Sequence, residues 1–317
     1  MRTEALLLLA SGCASALLCA LLIPVLRRVK AGQYILGYVR EHEGKAGTPT
    51  MGGLAFLCAA ALVALAFGLY ADKRVLVAVT FGLAYAAVGF LDDLLKARYK
   101  RNLGLRAYQK VAFQLVIALI AGFYCYFEGM TALRVPFSSA VLDVGWGIVP
   151  LVAFAFVATT NCVNLTDGLD GLAASVGAVY FAVLAALIFS FTPTEGAALA
   201  RMSLVLCGAL AGYLVFNTYR ASLFMGDTGS LSLGGSAAAI AAFSGNLLYI
   251  AVVGIMFVLS GISVIAQVIY YKRTKKRLLL MAPLHHHFQQ KGYAESKIVF
   301  AYAAVTAAAG LLCLLFV

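Results

Sequence analysis

Apolar residues run in long blocks from one end of the chain to the other, separated by short polar stretches. Ten blocks can be drawn, at about 5–26, 51–71, 75–91, 108–127, 146–161, 171–191, 198–216, 229–244, 247–271 and 298–317. The first would form about 33 Å of helix at 1.5 Å per residue, enough to cross a hydrocarbon layer of roughly 30 Å. Glycine and proline inside several blocks are tolerated in membrane helices, where neighbouring helices satisfy the freed backbone groups. The pattern predicts an all-α polytopic membrane protein, a bundle of about ten transmembrane helices forming one integral domain over residues 1–317. Between the fourth and fifth blocks, alternating Leu133, Val135 and Phe137 predict a small extracytoplasmic hairpin.

Composition agrees: 63% of the 317 residues are hydrophobic and 12% charged, against about a quarter charged in a soluble domain. Ala10-Ser11-Gly12-Cys13 is close to a lipoprotein cleavage box, but the apolar run continues past Cys13 to Arg27 and Arg28, the form of a first membrane span. The seven cysteines form no C-x-x-C pair and nearly all lie in apolar runs, so buried thiols are expected rather than disulfides or zinc.

The net charge of +11 suggests a nucleic-acid partner until its distribution is considered. Assigning loops alternately to the two faces places 19 of the 24 Lys and Arg on one of them. The positive-inside rule puts that face in the cytoplasm and both termini outside, and no nucleic-acid partner is expected. All four histidines and five of the seven aspartates fall on the same face. Acids gathered beside span ends, in loops this short, point to a site.

Four constellations could carry its chemistry. Asp92 and Asp93 end the third block, where adjacent carboxylates repel and raise each other's pKa unless a cation is near. Residues 161–171 place Asn164, Asp167 and Asp170 at three-residue intervals; Thr166 or Asp167 could cap a following helix, but capping accounts for one carboxylate only. Gly226-Asp227-Thr228-Gly229-Ser230 opens the eighth block, where a helix N-terminus offers free N–H groups to phosphate and Asp227 a hard oxygen to a divalent metal. His285-His286-His287 follows the basic run from Lys272 to Arg277. Successive helical residues point about 100° apart, so three histidines cannot share one metal, and phosphate contact or proton exchange suits them better. Acids for a metal and cations for phosphates, beside lipid, are what phosphoryl transfer requires.

The chain resembles the phospho-N-acetylmuramoyl-pentapeptide transferases. The resemblance runs through Lys45-Ala46-Gly47-Thr48-Pro49-Thr50-Met51-Gly52-Gly53, Leu91-Asp92-Asp93, residues 164–171, Asn217, residues 224–230 and residues 281–288. It implies a ten-helix bundle in the bacterial plasma membrane, acting as a homodimer. It implies a Mg2+-dependent enzyme that joins UDP-N-acetylmuramoyl-pentapeptide to undecaprenyl phosphate on the cytoplasmic face, releasing UMP. By the same resemblance Asp227 holds the metal, and Asp92 and Asp93 orient or deprotonate the lipid phosphate. Lys45, Thr50, Asn164, Asp167, Asp170, Asn217, Phe224 and Gln267 bind substrate, with Phe224 stacking on uracil. His285, His286 and His287 face phosphates or sugar. Two positions depart from the family pattern: Tyr219-Arg220 replaces a proline, and Tyr293-Ala294-Glu295 replaces Trp-Pro-Glu.

A secondary transporter would favour charges near span centres and an internal repeat, and neither is present. A lipid-binding scaffold gives no reason for five aspartates around short loops. Within the enzyme class, the N-acetylglucosamine-1-phosphate transferases share the acidic motifs, and the histidine-bearing loop separates the two.

Overall fold

The computed structural model describes residues 2–28, 47–99 and 104–317; Lys45 and His42 lie outside them. Each of the ten apolar blocks is helical. The helices are α1 (Arg2–Arg28), α2 (Gly53–Ala66), α3 (Lys73–Tyr99), α4 (Ala107–Phe127), α5 (Ile148–Thr166), α6 (Leu172–Phe191), α7 (Ala197–Asn217), α8 (Gly226–Phe243), α9 (Tyr249–Val253), α10 (Ile255–Thr274), α11 (Leu284–Gln290) and α12 (Glu295–Leu314). The ninth block is two helices, α9 and α10, broken at Gly254, and α11 lies in a segment expected to be loop. The hairpin forms where alternation placed it: β1 (Ala132–Arg134) pairs antiparallel with β2 (Val141–Asp143), Leu133 opposite Leu142. Leu133 faces inward and is buried.

Among the described residues, eight helices are long and apolar enough to cross a membrane. The chain is an all-α polytopic membrane protein. The two blocks that fall short are α2, with 14 residues, and α8, rich in glycine and serine. Helix α8 is instead the centre of the bundle, buried at every position from Thr228 to Phe243. Its small side chains let neighbours approach at backbone distance, as membrane helix interfaces favour. A Cβ on Gly53 would collide with the Gly229 backbone, and one on Gly89 with the Asp227 carbonyl. These approaches seat α2 and α3 against the N-terminus of α8.

Charged groups gather at the two ends of the bundle. At one end Lys73 Nζ bonds Glu128 Oε1 at 2.6 Å, joining α3 to α4, and Arg134 donates to the Ser244 carbonyl at 2.8 Å. The other end gathers Asp92, Asp93, Lys96, Lys110, Asn164 and Asp227. Asp92 and Asp93 do not end α3 as expected; the helix runs about two more turns, to Tyr99.

Candidate active site

The site begins with a helix end that lacks its own cap. Gly226 takes φ +70°, a left-handed turn that any side chain resists. Met225 before it makes no side-chain cap bond, which leaves the first N–H groups of α8 without a local partner. Asp93 on α3 supplies it. Its Oδ1 accepts from Asp227 N at 3.1 Å, and its Oδ2 accepts from Thr228 N at 2.9 Å and the Thr228 hydroxyl at 2.7 Å. Asp93 is buried, and an anion at a helix N-terminus is favoured by the free N–H groups and the dipole. An Asp227 side chain capping its own helix, the ordinary use of an acid in a first turn, is not what occurs.

That arrangement leaves the Asp227 carboxylate to other partners. Its Oδ1 accepts from Asn164 Nδ2 at 2.7 Å, and its Oδ2 takes both Lys96 Nζ and Lys110 Nζ at 2.9 Å. Lys96 also reaches Asp92 Oδ2 at 2.6 Å, one turn back on α3, while Asp92 Oδ1 accepts from Leu105 N at 2.7 Å. One oxygen from each of Asp92, Asp93 and Asp227 lies within 4.8 Å of the others. Three hard oxygen donors this close suit a divalent cation such as Mg2+. The Lys96 ammonium sits between Asp92 and Asp227, so a positive charge already occupies the space between two donors. A lysine on a four-carbon stem can move aside.

Lys96 and Lys110 were missed as site residues because their charges fitted a topology signal. Lys96 carried a readable clue, its i+4 spacing from Asp92 on one helix face. Lys110 carried none, since the partner that matters is on another helix.

Residues 161–171 wrap the next part of the site. Helix α5 runs through Thr166, whose hydroxyl bonds back to the Cys162 carbonyl at 2.7 Å, and α6 starts after Gly171 with no side-chain cap. Capping by Thr166 or Asp167 is therefore absent. Asp167 is partly buried; burial, with Asp227, Asp93 and Asp170 nearby, pushes its carboxyl up to about 8. Against Gly168 lie the ring nitrogens of His285 and His286, where a Cβ would meet His286 Nε2 at 3.1 Å. The two rings are 4.4 Å apart. His285 is fully buried with no partner on either nitrogen among the described residues, and burial and then His286 hold its pKa down at about 3. It is a neutral imidazole at physiological pH.

The other expected residues sort by what they touch. Thr50 Oγ1 lies beside Gly226, and the Phe224 backbone pairs with Pro49 and Gly52 at 2.8 Å. Asp170 Oδ2 accepts from Ala221 N at 3.0 Å; Asn217 accepts from Gly171 N at 3.1 Å and donates to Leu223 O at 2.9 Å. These four tie the strands of chain around the α8 N-terminus together. Gln267 and His287 bond backbone groups between α10 and α11. Gln267 Oε1 accepts from Leu278 and Leu279 N at 3.0 and 2.9 Å, and His287 Nδ1 accepts from Leu280 N at 3.1 Å. Both hold the segment before α11.

Known proteins are similar to this chain in sequence across the segments that build the site. Residues 75–245 match "Glycosyl transferase family 4", and residues 45–57 match "Phospho-N-acetylmuramoyl-pentapeptide-transferase signature 1". Proteins named phospho-N-acetylmuramoyl-pentapeptide-transferase are similar over most of the chain. That of Clostridium botulinum (strain Alaska E43 / Type E3) is 41% identical over 285 residues, 90% of this chain and 87% of the relative. That of Halalkalibacterium halodurans is 40% identical over 313 residues, 96% and 94%. The chain belongs to the phospho-N-acetylmuramoyl-pentapeptide transferase family. The family 4 match spans α3 to α8 and so contains every member of the acid and lysine cluster. The signature reaches Gly52 and Gly53, which hydrogen-bond Phe224 and Met225 just before α8. At one departure from the family pattern, Ala294 stands at φ −61°, the angle a proline would fix, and α12 starts directly after it.

Proposed function

We propose that the chain transfers phospho-N-acetylmuramoyl-pentapeptide from its UDP-activated form to undecaprenyl phosphate, giving lipid I and UMP for peptidoglycan synthesis. Similarity to named transferases over about nine-tenths of the chain carries the substrates, and the Asp92, Asp93, Asp227 cluster supports the chemistry. A lipid phosphate oxygen bonds to the phosphorus bearing the sugar as the bond to UMP breaks. Mg2+, held by Asp227 with Asp92, would supply charge neutralisation at the phosphates. Lys96 and Lys110 present ammonium groups to the same phosphate oxygens. Asp92, joined to Lys96, orients the lipid phosphate. Asp93 acts one step back, fixing the end of α8 so that Asp227 points outward from it.

The nucleotide would lie along residues 164–171, with Lys45, Asp167, Asp170, Asn217 and Phe224, and with Thr50 near the phosphates. His285 and His286 approach from α11 on the sugar side. Gln267 and His287 shape that side through the loop they hold. In the cell this face is cytoplasmic, with both termini outside, and the resemblance supports a homodimer in the bacterial plasma membrane.

Two expectations test the reading. Purified protein should release UMP with the muramoyl-pentapeptide nucleotide and little with UDP-N-acetylglucosamine. Equal rates with both donors would move the chain to the N-acetylglucosamine-1-phosphate type. For orientation, cysteines introduced at Lys275 and Glu195 should differ in intact cells, position 195 reacting with an impermeant thiol reagent and position 275 not. Labelling of position 275 from outside would reverse the assignment.

A further inference from the structure

Beneath the cluster lies a second polar layer inside the bundle. Asn161 Nδ2 on α5 donates to Gln114 Oε1 on α4 at 2.6 Å, and Tyr85 OH on α3 donates to the Gln114 backbone carbonyl at 3.0 Å. Gln114 and Tyr85 are fully buried, and Gln114 Nε2 has no hydrogen-bond partner among the described residues. Each member sits directly under a site residue on its own helix. Gln114 follows Lys110 by four residues, Asn161 precedes Asn164 by three, and Tyr85 precedes Asp92 by seven. These spacings keep each pair on one helix face.

A buried amide with an unpaired donor is a costly way to join two membrane helices, since apolar side chains pack them without the penalty. What an amide pair adds is a defined register: it is satisfied at one axial and rotational setting, whereas apolar surfaces slide. The setting matters one turn above. There Lys110 Nζ must reach Asp227 Oδ2 at 2.9 Å and stands 3.4 Å from Asn164 Oδ1, while Asn164 bonds Asp227 and Ser230 Oγ at 2.7 and 2.8 Å. Displacing a catalytic group by about 1 Å can cost on the order of a hundredfold in rate. We propose that Gln114 and Asn161, backed by Tyr85, are positioning residues for the transfer, setting the register of α4 on α5 that holds Lys110 and Asn164 against Asp227. The proposal rests on the reading of the Asp227 cluster as the reaction centre.

Purified full-length Gln114→Leu, Asn161→Leu and the double variant test it, with Gln114→Met, closer in volume, as the variant that decides if the leucine variants do not fold. UMP release is measured across Mg2+ and donor concentrations, alongside thermal unfolding. Expected is a fall in kcat of roughly tenfold or more per folded molecule, a donor KM changed less than about twofold, and a higher Mg2+ concentration for half-activation. The double variant should be no slower than the slower single one, because both remove one contact. A merely structural pair would lower the unfolding midpoint and leave kcat per folded molecule alone. That outcome, or losses that add in the double variant, overturns the proposal. If the wild-type protein itself releases no UMP, the reading of the site falls and the positioning role with it; wild-type turnover with unchanged variants overturns the positioning role alone.

Discussion

Asp227→Asn is expected to lower UMP release by about a hundredfold or more, while the protein still folds. Asparagine keeps the size and one oxygen, so the bond from Asn164 survives, but the charge that Lys96 and Lys110 share, and that a divalent cation would need, is gone. Metal neutralisation of a phosphoryl transition state is a term of several kcal/mol, and a hundredfold is about 2.7 kcal/mol at 1.36 per decade. Folding is retained for a reason the sequence alone did not offer. The N-terminus of α8 is capped by Asp93, not Asp227, so the substitution leaves three hydrogen bonds to that helix end in place. Turnover near wild type with an unchanged Mg2+ optimum, in well-folded protein, would remove Asp227 from the metal site.

Lys96→Met carries the second large effect. The ammonium joins Asp92 to Asp227, which allows two roles with different kinetic consequences. If it only neutralises the acids before a cation arrives, its removal eases Mg2+ binding and leaves kcat at saturating Mg2+ intact. If it also meets phosphate oxygens, kcat falls by about a hundredfold to a thousandfold, as when one preorganised donor is removed from a charged transition state. The second outcome is expected, together with half-activation at a lower Mg2+ concentration. A Mg2+ titration of UMP release by the variant separates the two, and wild-type kcat at saturation contradicts the phosphate role.

Much of the architecture was legible because lipid permits few alternatives. A chain that crosses hydrocarbon must bury its backbone polar groups within each segment, so apolar blocks of sufficient length become helices. Even α8, too polar to stand as a span by itself, was found as a block at 229–244, although its functional first turn, from Gly226, lies outside it. Helix α11 was not, since seven residues with three histidines hold too little periodicity to announce a helix. Asp92, Asp93, Asn164 and Asp227 were legible as a set because acids beside span ends are rare. Their division of labour was not. Asp93 and the N–H groups it caps are more than 130 positions apart, and no local pattern signals such a bond. The resemblance alone implied Gln267 at the nucleotide and His287 at phosphates or sugar; the bonds both make to backbone groups about seven to eleven residues away had no signal in the sequence. Lys96 and Lys110 were counted as topology charges, a reading that is correct for basic residues in general and silent on which of them turn inward.

The reaction proposed for this cluster moves a phosphosugar from a nucleotide onto a lipid phosphate with a divalent cation. Its most direct test is UMP release by the purified full chain given UDP-N-acetylmuramoyl-pentapeptide, with undecaprenyl phosphate and Mg2+ each supplied or withheld. Release should require both, stop on chelation and return when Mg2+ is restored. UMP formed without the lipid phosphate, or undiminished by chelation, would contradict it.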